Sequence, residues 1–161
     1  MKKKRTIKKY KKLIGKVDPF YNSYWIGKFF NKFMKMGKKH LIEHTILKCF
    51  QNIQKETNIQ VLYFFFTVLT KFRPLFGFIS KRFGKQFKKI PVPLYPRRQI
   101  ITSLKWLVLS IQINHLSSFE DRLVSEFLDL NAKKKTSLWK RYTDHLQEVN
   151  ENRLNHRFRW K

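Results

Sequence analysis

Residues 75–96, LFGFISKRFGKQFKKIPVPLYP, are the segment that most restricts what this chain can become. On either side of it apolar residues recur every three or four positions, the spacing of a helix buried along one face. Inside it the spacing shortens toward alternation, and Gly77 and Gly84 weaken any helix. Pro91, Pro93 and Pro96 stand too close together for a helix to pass, because each removes an amide donor and crowds the preceding turn. A two-stranded β-ribbon over about residues 75–95 satisfies these demands, with Lys81, Arg82, Gly84 and Lys85 near its tip.

The remainder reads as helix. Asp18-Pro19 and Asn22-Ser23 mark a turn and a helix start, followed by a stripe of Trp25, Ile26, Phe29, Phe30, Phe33 and Met34 that Gly37 stops. A second helix over 39–56 carries Leu41, Ile42, Thr45, Ile46, Cys49, Phe50 and Ile53 on one face, and a third spans 59–72, ahead of Pro74. After the ribbon the helical spacing returns with Ile100, Ile101, Leu104, Leu107, Val108 and Ile111. A further helix follows Ser118, where Glu120 and Asp121 suit the positive end of the helix dipole and Ser118 with Asp121 resembles a capping box. The last begins at about Ser137 and aligns Leu138, Tyr142, Leu146 and Val149. The expected fold class is mainly α: a bundle of about six helices with a protruding two-stranded β-ribbon. Residues 1–17 are expected to form a basic N-terminal extension, and 18–161 a single helical domain.

Charge decides what such a fold meets. Lys and Arg number 36 against 10 Asp and Glu, a formal net charge of +26, far from the balance of an ordinary enzyme surface. Apolar residues make up 42%, with sixteen Phe, which excludes a purely disordered basic tail. A compact body this positive repels itself unless phosphates or anionic headgroups neutralise it. The cations are also segregated: residues 57–119 hold no acid at all, and seven of the ten acids lie from Glu120 onward. The first two-thirds is therefore the expected polyanion face.

Cys49 stands alone, so neither an internal disulfide nor a Cys-based zinc site is possible. The uncharged stretch 57–70 is shorter than the roughly 20 residues a membrane span needs and reads as a buried helix. The opening MKKKRTIKKYKK has no apolar region after it and no amphipathic import pattern, so the protein is expected to work in the compartment where it is made. Lys (26), Phe (16), Ile (13) and Asn (9) are abundant while Ala occurs once, a bias of AT-rich coding that points to an organellar genome.

Catalytic signals are weak. His40, Glu43 and His44 have the H-x-x-E-H spacing of one class of zinc peptidase, but a third ligand is needed and Lys38 and Lys39 crowd the face. The next acid, Glu56, lies about 18 Å along the same helix at 1.5 Å per residue. There is no phosphate-binding glycine loop followed by Lys-Ser or Lys-Thr and no G-x-S-x-G elbow, and Cys49 falls on an apolar stripe as a small core residue. Neither an enzyme, a metal nor a cofactor is expected.

The basic clusters carry more. Lys8, Lys9, Lys11 and Lys12 belong to a lysine run that reads equally as a solvated tail or an RNA contact. Lys35, Lys38 and Lys39 flank a helix end and the next helix start; Lys81, Arg82, Lys85, Lys88 and Lys89 decorate the ribbon. Arg97 and Arg98 open a helix whose free amides also favour anions. Phe83 and Phe87 are interleaved with the ribbon cations, where they serve either as packing or as stacking platforms for unpaired bases.

Three blocks of residues resemble a known family. Asp18, Pro19, Tyr21, Ser23, Phe29, Asn31, Met34, Gly37, Lys38 and Lys39 match the opening of small-subunit ribosomal protein seven, the universal S-seven family. Arg82, Gly84, Pro91, Val92, Pro93, Arg97, Arg98, Trp106 and Leu107 are similar to that family's R-x-G-G, V-P, R-R and R-W-L string. Arg122, Leu123 and Glu126 fit its R-L-A-x-E helix, and Asn152, Phe158, Arg159 and Trp160 its terminal motif. The resemblance runs from about Lys9 to Trp160 and extends the RNA-binding set to Lys140, Arg141, Arg157 and Arg159. It implies a helical RNA-binding body that binds the 3′ major domain of small-subunit rRNA and organises the subunit head. The ribbon would then lie near the tRNA exit site and the mRNA path, with neighbouring head proteins as partners and no membrane. A mitochondrial ribosome is the expected location, with a plastid or an AT-rich bacterial cytoplasm as the alternative. The rival from another class is a basic amphipathic protein lying on a membrane surface.

Overall fold

The structure, a computed structural model, describes residues 17–116 and 118–159. Among these residues are six α-helices: α1 (Tyr24–Phe33), α2 (Lys39–Thr57), α3 (Val61–Lys71), α4 (Pro96–Ile113), α5 (Phe119–Asn131) and α6 (Ser137–Glu151). Strands β1 (Phe76–Phe83) and β2 (Gln86–Pro93) lie between α3 and α4, and a 3₁₀ segment, Arg153–Phe158, follows α6. The chain is mainly α with one antiparallel ribbon, the class expected from the sequence. The residues group into two compact units, one ending at Leu62 and the other beginning at Tyr63, so the boundary falls in the first turn of α3.

In the first unit α1 buries Ile26, Phe29, Phe30 and Phe33, and α2 buries Ile46, Cys49, Phe50 and Ile53, the central part of each predicted stripe, while Leu41 in the first turn of α2 is exposed and Met34 lies past the end of α1. Phe29 and Phe50 stack at 6.3 Å between ring centroids, and Tyr21 tilts onto Phe50 at 6.2 Å. Burying a side chain of this size contributes about 1.5–3 kcal/mol. The Asp18 carboxylate is buried and accepts the Tyr21 amide proton at 2.8 Å, which fixes the turn that leads into α1. Burial, reinforced by the neighbouring Asp18, pushes the Tyr21 phenol above its ordinary range.

α1 stops at Phe33, four residues before Gly37. Met34 turns to an extended ψ of 125°, and Met36 and Gly37 both take left-handed φ angles, 50° and 73°. The stripe has run out by then, since Met36 is 94% exposed and nothing holds another turn in place. α2 ends where Asn58 adopts φ 54° and donates its amide to the Gln54 carbonyl at 2.9 Å, an Asn-closed helix terminus.

The second unit is built around Phe65, Leu69 and Phe72 of α3, Leu104, Leu107 and Ile111 of α4, Leu123 and Phe127 of α5, and Leu138 of α6, all nearly fully buried. Phe64 meets Phe127 edge-on at 5.8 Å, and Phe72 meets Trp139 at 5.7 Å and Tyr142 at 5.6 Å. The uncharged stretch is thus a short helix with a buried face, and among the described residues no helix is long and apolar enough to cross a membrane. Ser118 caps α5 by accepting the Glu120 amide at 3.1 Å, rather than that of Asp121 as a capping box would have it. Thr136 caps α6 through the Trp139 amide. Of the α6 stripe only Leu138 is fully buried, and Leu146 is exposed.

One acid organises the junction of three helices. Glu126, in the middle of α5, is 4% exposed and accepts a hydrogen bond from Ser110 Oγ of α4 at 2.5 Å. Ser110 also meets the hydroxyl of Ser137, the first residue of α6. Burial raises the Glu126 carboxyl above its ordinary range, bonds from Ser110 and Thr136 partly reverse this, and Asp129 adds to the rise.

Candidate nucleic-acid interface

The ribbon pairs Phe76 with Pro93 through to Phe83 with Gln86, and Gly84 makes the turn at φ +60°, a conformation that costs glycine nothing. Its prolines fit for a geometric reason. The Leu94 amide points inward, donating to the Leu75 carbonyl at 2.9 Å, so the odd-numbered positions of β2 point their amides outward, where Pro91 and Pro93 forfeit no ladder bond.

Alternation gives the ribbon two faces that differ sharply. On one, the chain's last described residues are laid down. Phe83 packs on Phe158 at 5.0 Å, and the Lys88 ammonium sits 4.5 Å from the Phe158 centroid, with the Arg157 guanidinium 4.9 Å from the same ring. Lys81 Nζ donates to the Arg159 carbonyl at 2.7 Å. Asn155 donates to the Lys89 carbonyl at 3.1 Å, while the Lys89 side chain, which alternation sends to the face of Arg82 and Phe87, pairs its ammonium with Glu148 of α6. At the ribbon root His145 Nε2 donates to the Phe76 carbonyl at 2.9 Å, its ring lying against both Phe78 and Trp106.

The other face at the tip looks outward. Arg82 stands opposite Phe87, its guanidinium 6.0 Å from the ring centroid and its Nε donating to the Gly84 carbonyl at 3.0 Å. Phe87 is 73% exposed, and Lys85, two residues before it in the turn, is exposed as well. The two phenylalanines that the sequence leaves as equals therefore divide: Phe83 is packing, and Phe87 is a presented ring.

The remaining residues of the expected set lie as follows. Arg97 and Arg98 are exposed in the first turn of α4, where α-helical amides have no intrahelical partner. Lys140 is exposed and Arg141 half-buried in the first turns of α6. Lys35, Lys38 and Lys39 are exposed around the α1–α2 turn of the first unit, and Lys39 pairs with the buried Glu43 at 3.1 Å. That pair occupies the acid of the H-x-x-E-H string, and among the described residues no group of three or more His, Cys, Asp or Glu is placed to hold a metal. Lys8, Lys9, Lys11 and Lys12 lie outside the described residues.

Two features escape a reading of the sequence. The clamp of Asn155, Phe158 and Glu148 on the ribbon joins positions some sixty to eighty residues apart, and its one signal is an aromatic residue between arginines at the end of the chain. The second is Lys71, whose ammonium lies 5.0 Å from the Trp139 ring centroid at the start of α6.

Fold and surface together define a strongly basic, mainly helical protein whose β-ribbon carries cations on both faces. The family model described as ribosomal protein S7p/S5e matches residues 2–150. The chain belongs to that family and is a ribosomal protein, a structural component and not an enzyme. Its curated relatives include the small ribosomal subunit protein uS7 of Helicobacter hepaticus, 29% identical over 143 residues, 89% of this chain and 92% of the relative. The uS7 of Acinetobacter baumannii is 29% identical over 142 residues, 88% and 91% of the two chains. That of Carsonella ruddii is 30% identical over 122 residues, 76% and 78%.

Proposed function

We propose that this chain is a structural constituent of the small ribosomal subunit that binds the 3′ major domain of the small-subunit rRNA and organises the subunit head. The basic ribbon then lies near the tRNA exit site and the mRNA path, beside neighbouring head proteins. The observation that carries this reading is the acid-free run from residue 57 to 119, which holds the whole ribbon and the Arg97-Arg98 helix start inside a chain of the S7p/S5e family. The contacts are made to phosphates and RNA shape, through Lys35, Lys38, Lys39, Arg82, Lys85, Arg97, Arg98, Lys140 and Arg141 on exposed or half-buried surface. Lys81, Lys88, Lys89, Arg157 and Arg159 are engaged with the ribbon clamp and act near RNA as part of it. Lys8, Lys9, Lys11 and Lys12 add a basic arm of the same sign.

Family membership favours this reading over the membrane-surface alternative. The AT-biased composition supports a mitochondrial, organelle-encoded ribosome, while the bacterial origin of the relatives keeps an AT-rich bacterial cytoplasm, like a plastid, as the second location. Sedimentation through a sucrose gradient tests the function. The chain should travel with the small subunit and leave it after ribonuclease digestion; travel with vesicles that survives ribonuclease would overturn the proposal.

A further inference from the structure

Six aromatic rings in the described residues have a cation against them, and Phe87 is the one that is exposed: Phe72 is buried, and Tyr24, Phe83, Trp139 and Phe158 are half-buried. Leaving so much of an aromatic ring in water at the tip of a ribbon is a poor use of apolar surface unless something covers it. The tip's own packing does not need it, because Phe83 supplies the ring that meets Phe158 on the opposite face.

The surroundings of Phe87 say what covers it. Arg82 rests its guanidinium against the ring and is itself tied to the Gly84 carbonyl, so the pair is held before any ligand arrives. Lys85, in the turn two residues before Phe87, adds a second cation. A flat, electron-rich face with a held guanidinium against it and an exposed lysine in the adjoining turn is complementary to one chemical group above others, a planar base joined to a phosphate. A paired base in an RNA helix hides both its faces, so the occupant is unpaired.

We propose that Phe87 stacks on an unpaired base of a single-stranded RNA segment while Arg82 and Lys85 neutralise the flanking phosphates. This rests on the ribosomal reading above and deepens it at the ribbon tip, where the phosphates that Arg82 and Lys85 meet are those of an unpaired strand.

The test uses the full chain and a short single-stranded RNA carrying one 2-aminopurine, whose fluorescence reports stacking. Phe87→Leu keeps an apolar side chain and removes the ring; it should weaken binding at least about five-fold and abolish the fluorescence change. Phe87→Trp should restore both. The far-UV circular dichroism of both variants should match the parent, since an exposed ring contributes little to folding. Equal affinity and an equal fluorescence change for the parent and Phe87→Leu would overturn the proposal. Gradient sedimentation of the same proteins separates the two levels: Phe87→Leu should still travel with the small subunit, whereas failure of the parent to do so strikes the ribosomal reading and not the stacking result.

Discussion

Replacing Glu126 tests how the second unit is held together. The carboxylate accepts bonds from Ser110 and Thr136, and Ser110 also touches Ser137, so one side chain of α5 ties the last turn of α4 to the start of α6. Hydrogen bonds to a charged group contribute about 1.5–3 kcal/mol each, and a buried hydroxyl left without its acceptor costs about 1–3 kcal/mol. Some of this overlaps, because Ser110 and Ser137 can still bond to each other. Glu126→Ala, which also opens space in a site only 4% exposed, should therefore cost about 3–4 kcal/mol, and Glu126→Gln, which keeps the volume and one acceptor, about 1–2 kcal/mol. Urea unfolding followed by far-UV circular dichroism reads this directly, as a midpoint lower by roughly 1–2 M for the alanine variant.

The same group leaves a signature in pH. Its carboxyl titrates higher in the folded chain than in the unfolded one, so between those two values the folded state holds the extra proton. Stability then falls as pH rises from the ordinary carboxylate range through the raised value, and is level above it. Glu126→Gln should flatten that decline. An alanine variant within about 0.5 kcal/mol of the parent, with the decline intact, would refute the account of the junction.

Two other perturbations address the interface. Arg97→Glu combined with Arg98→Glu should weaken binding to the cognate rRNA region and make the slope of log affinity against log salt shallower by roughly 1.5–2, measured by filter binding over a salt series; an unchanged slope would count against phosphate contact at the α4 start. Phe158→Ala removes the ring shared by Phe83, Lys88 and Arg157, a loss of about 1 kcal/mol, and should speed amide exchange in the ribbon roughly five-fold while leaving α4 and α5 unchanged. Unaltered ribbon exchange would mean that the clamp contributes nothing to holding the strands.

What the sequence made legible was whatever local chemistry decides. The ribbon was expected at about 75–95 and spans Phe76–Phe83 and Gln86–Pro93, because glycine and proline act on the backbone within a residue or two. The α6 start at Ser137 and the buried stripe of α2 from Ile46 to Ile53 followed for the same kind of reason, though Leu41, counted in that stripe, is exposed. The end of α1 did not, since it depends on where burial stops, and Met34 looks as apolar as Phe33 until the structure leaves it half in water. The ribbon cations were harder still. Lys81, Lys85 and Lys89 are identical letters, yet one bonds a carbonyl of the tail, one stands in the turn and one pairs with Glu148, and only contacts between distant residues separate them. Glu126 was legible as part of a motif but not as the tie among three helices, for the hydroxyls it gathers are scattered over nearly thirty residues.

The clamp on the ribbon also sets an order of events during synthesis. About sixty residues separate the end of β2 from Arg153, so at roughly 5–20 residues per second the strands leave the translating ribosome some 3–12 s before the segment that shields Phe83 and Lys88. For that interval the hairpin has an uncovered aromatic side and ammonium groups without their eventual neighbours, in surroundings crowded with nucleic acid. Arrival of the Arg153–Phe158 segment, rather than formation of the hairpin, is the moment at which its inner side is closed to strangers.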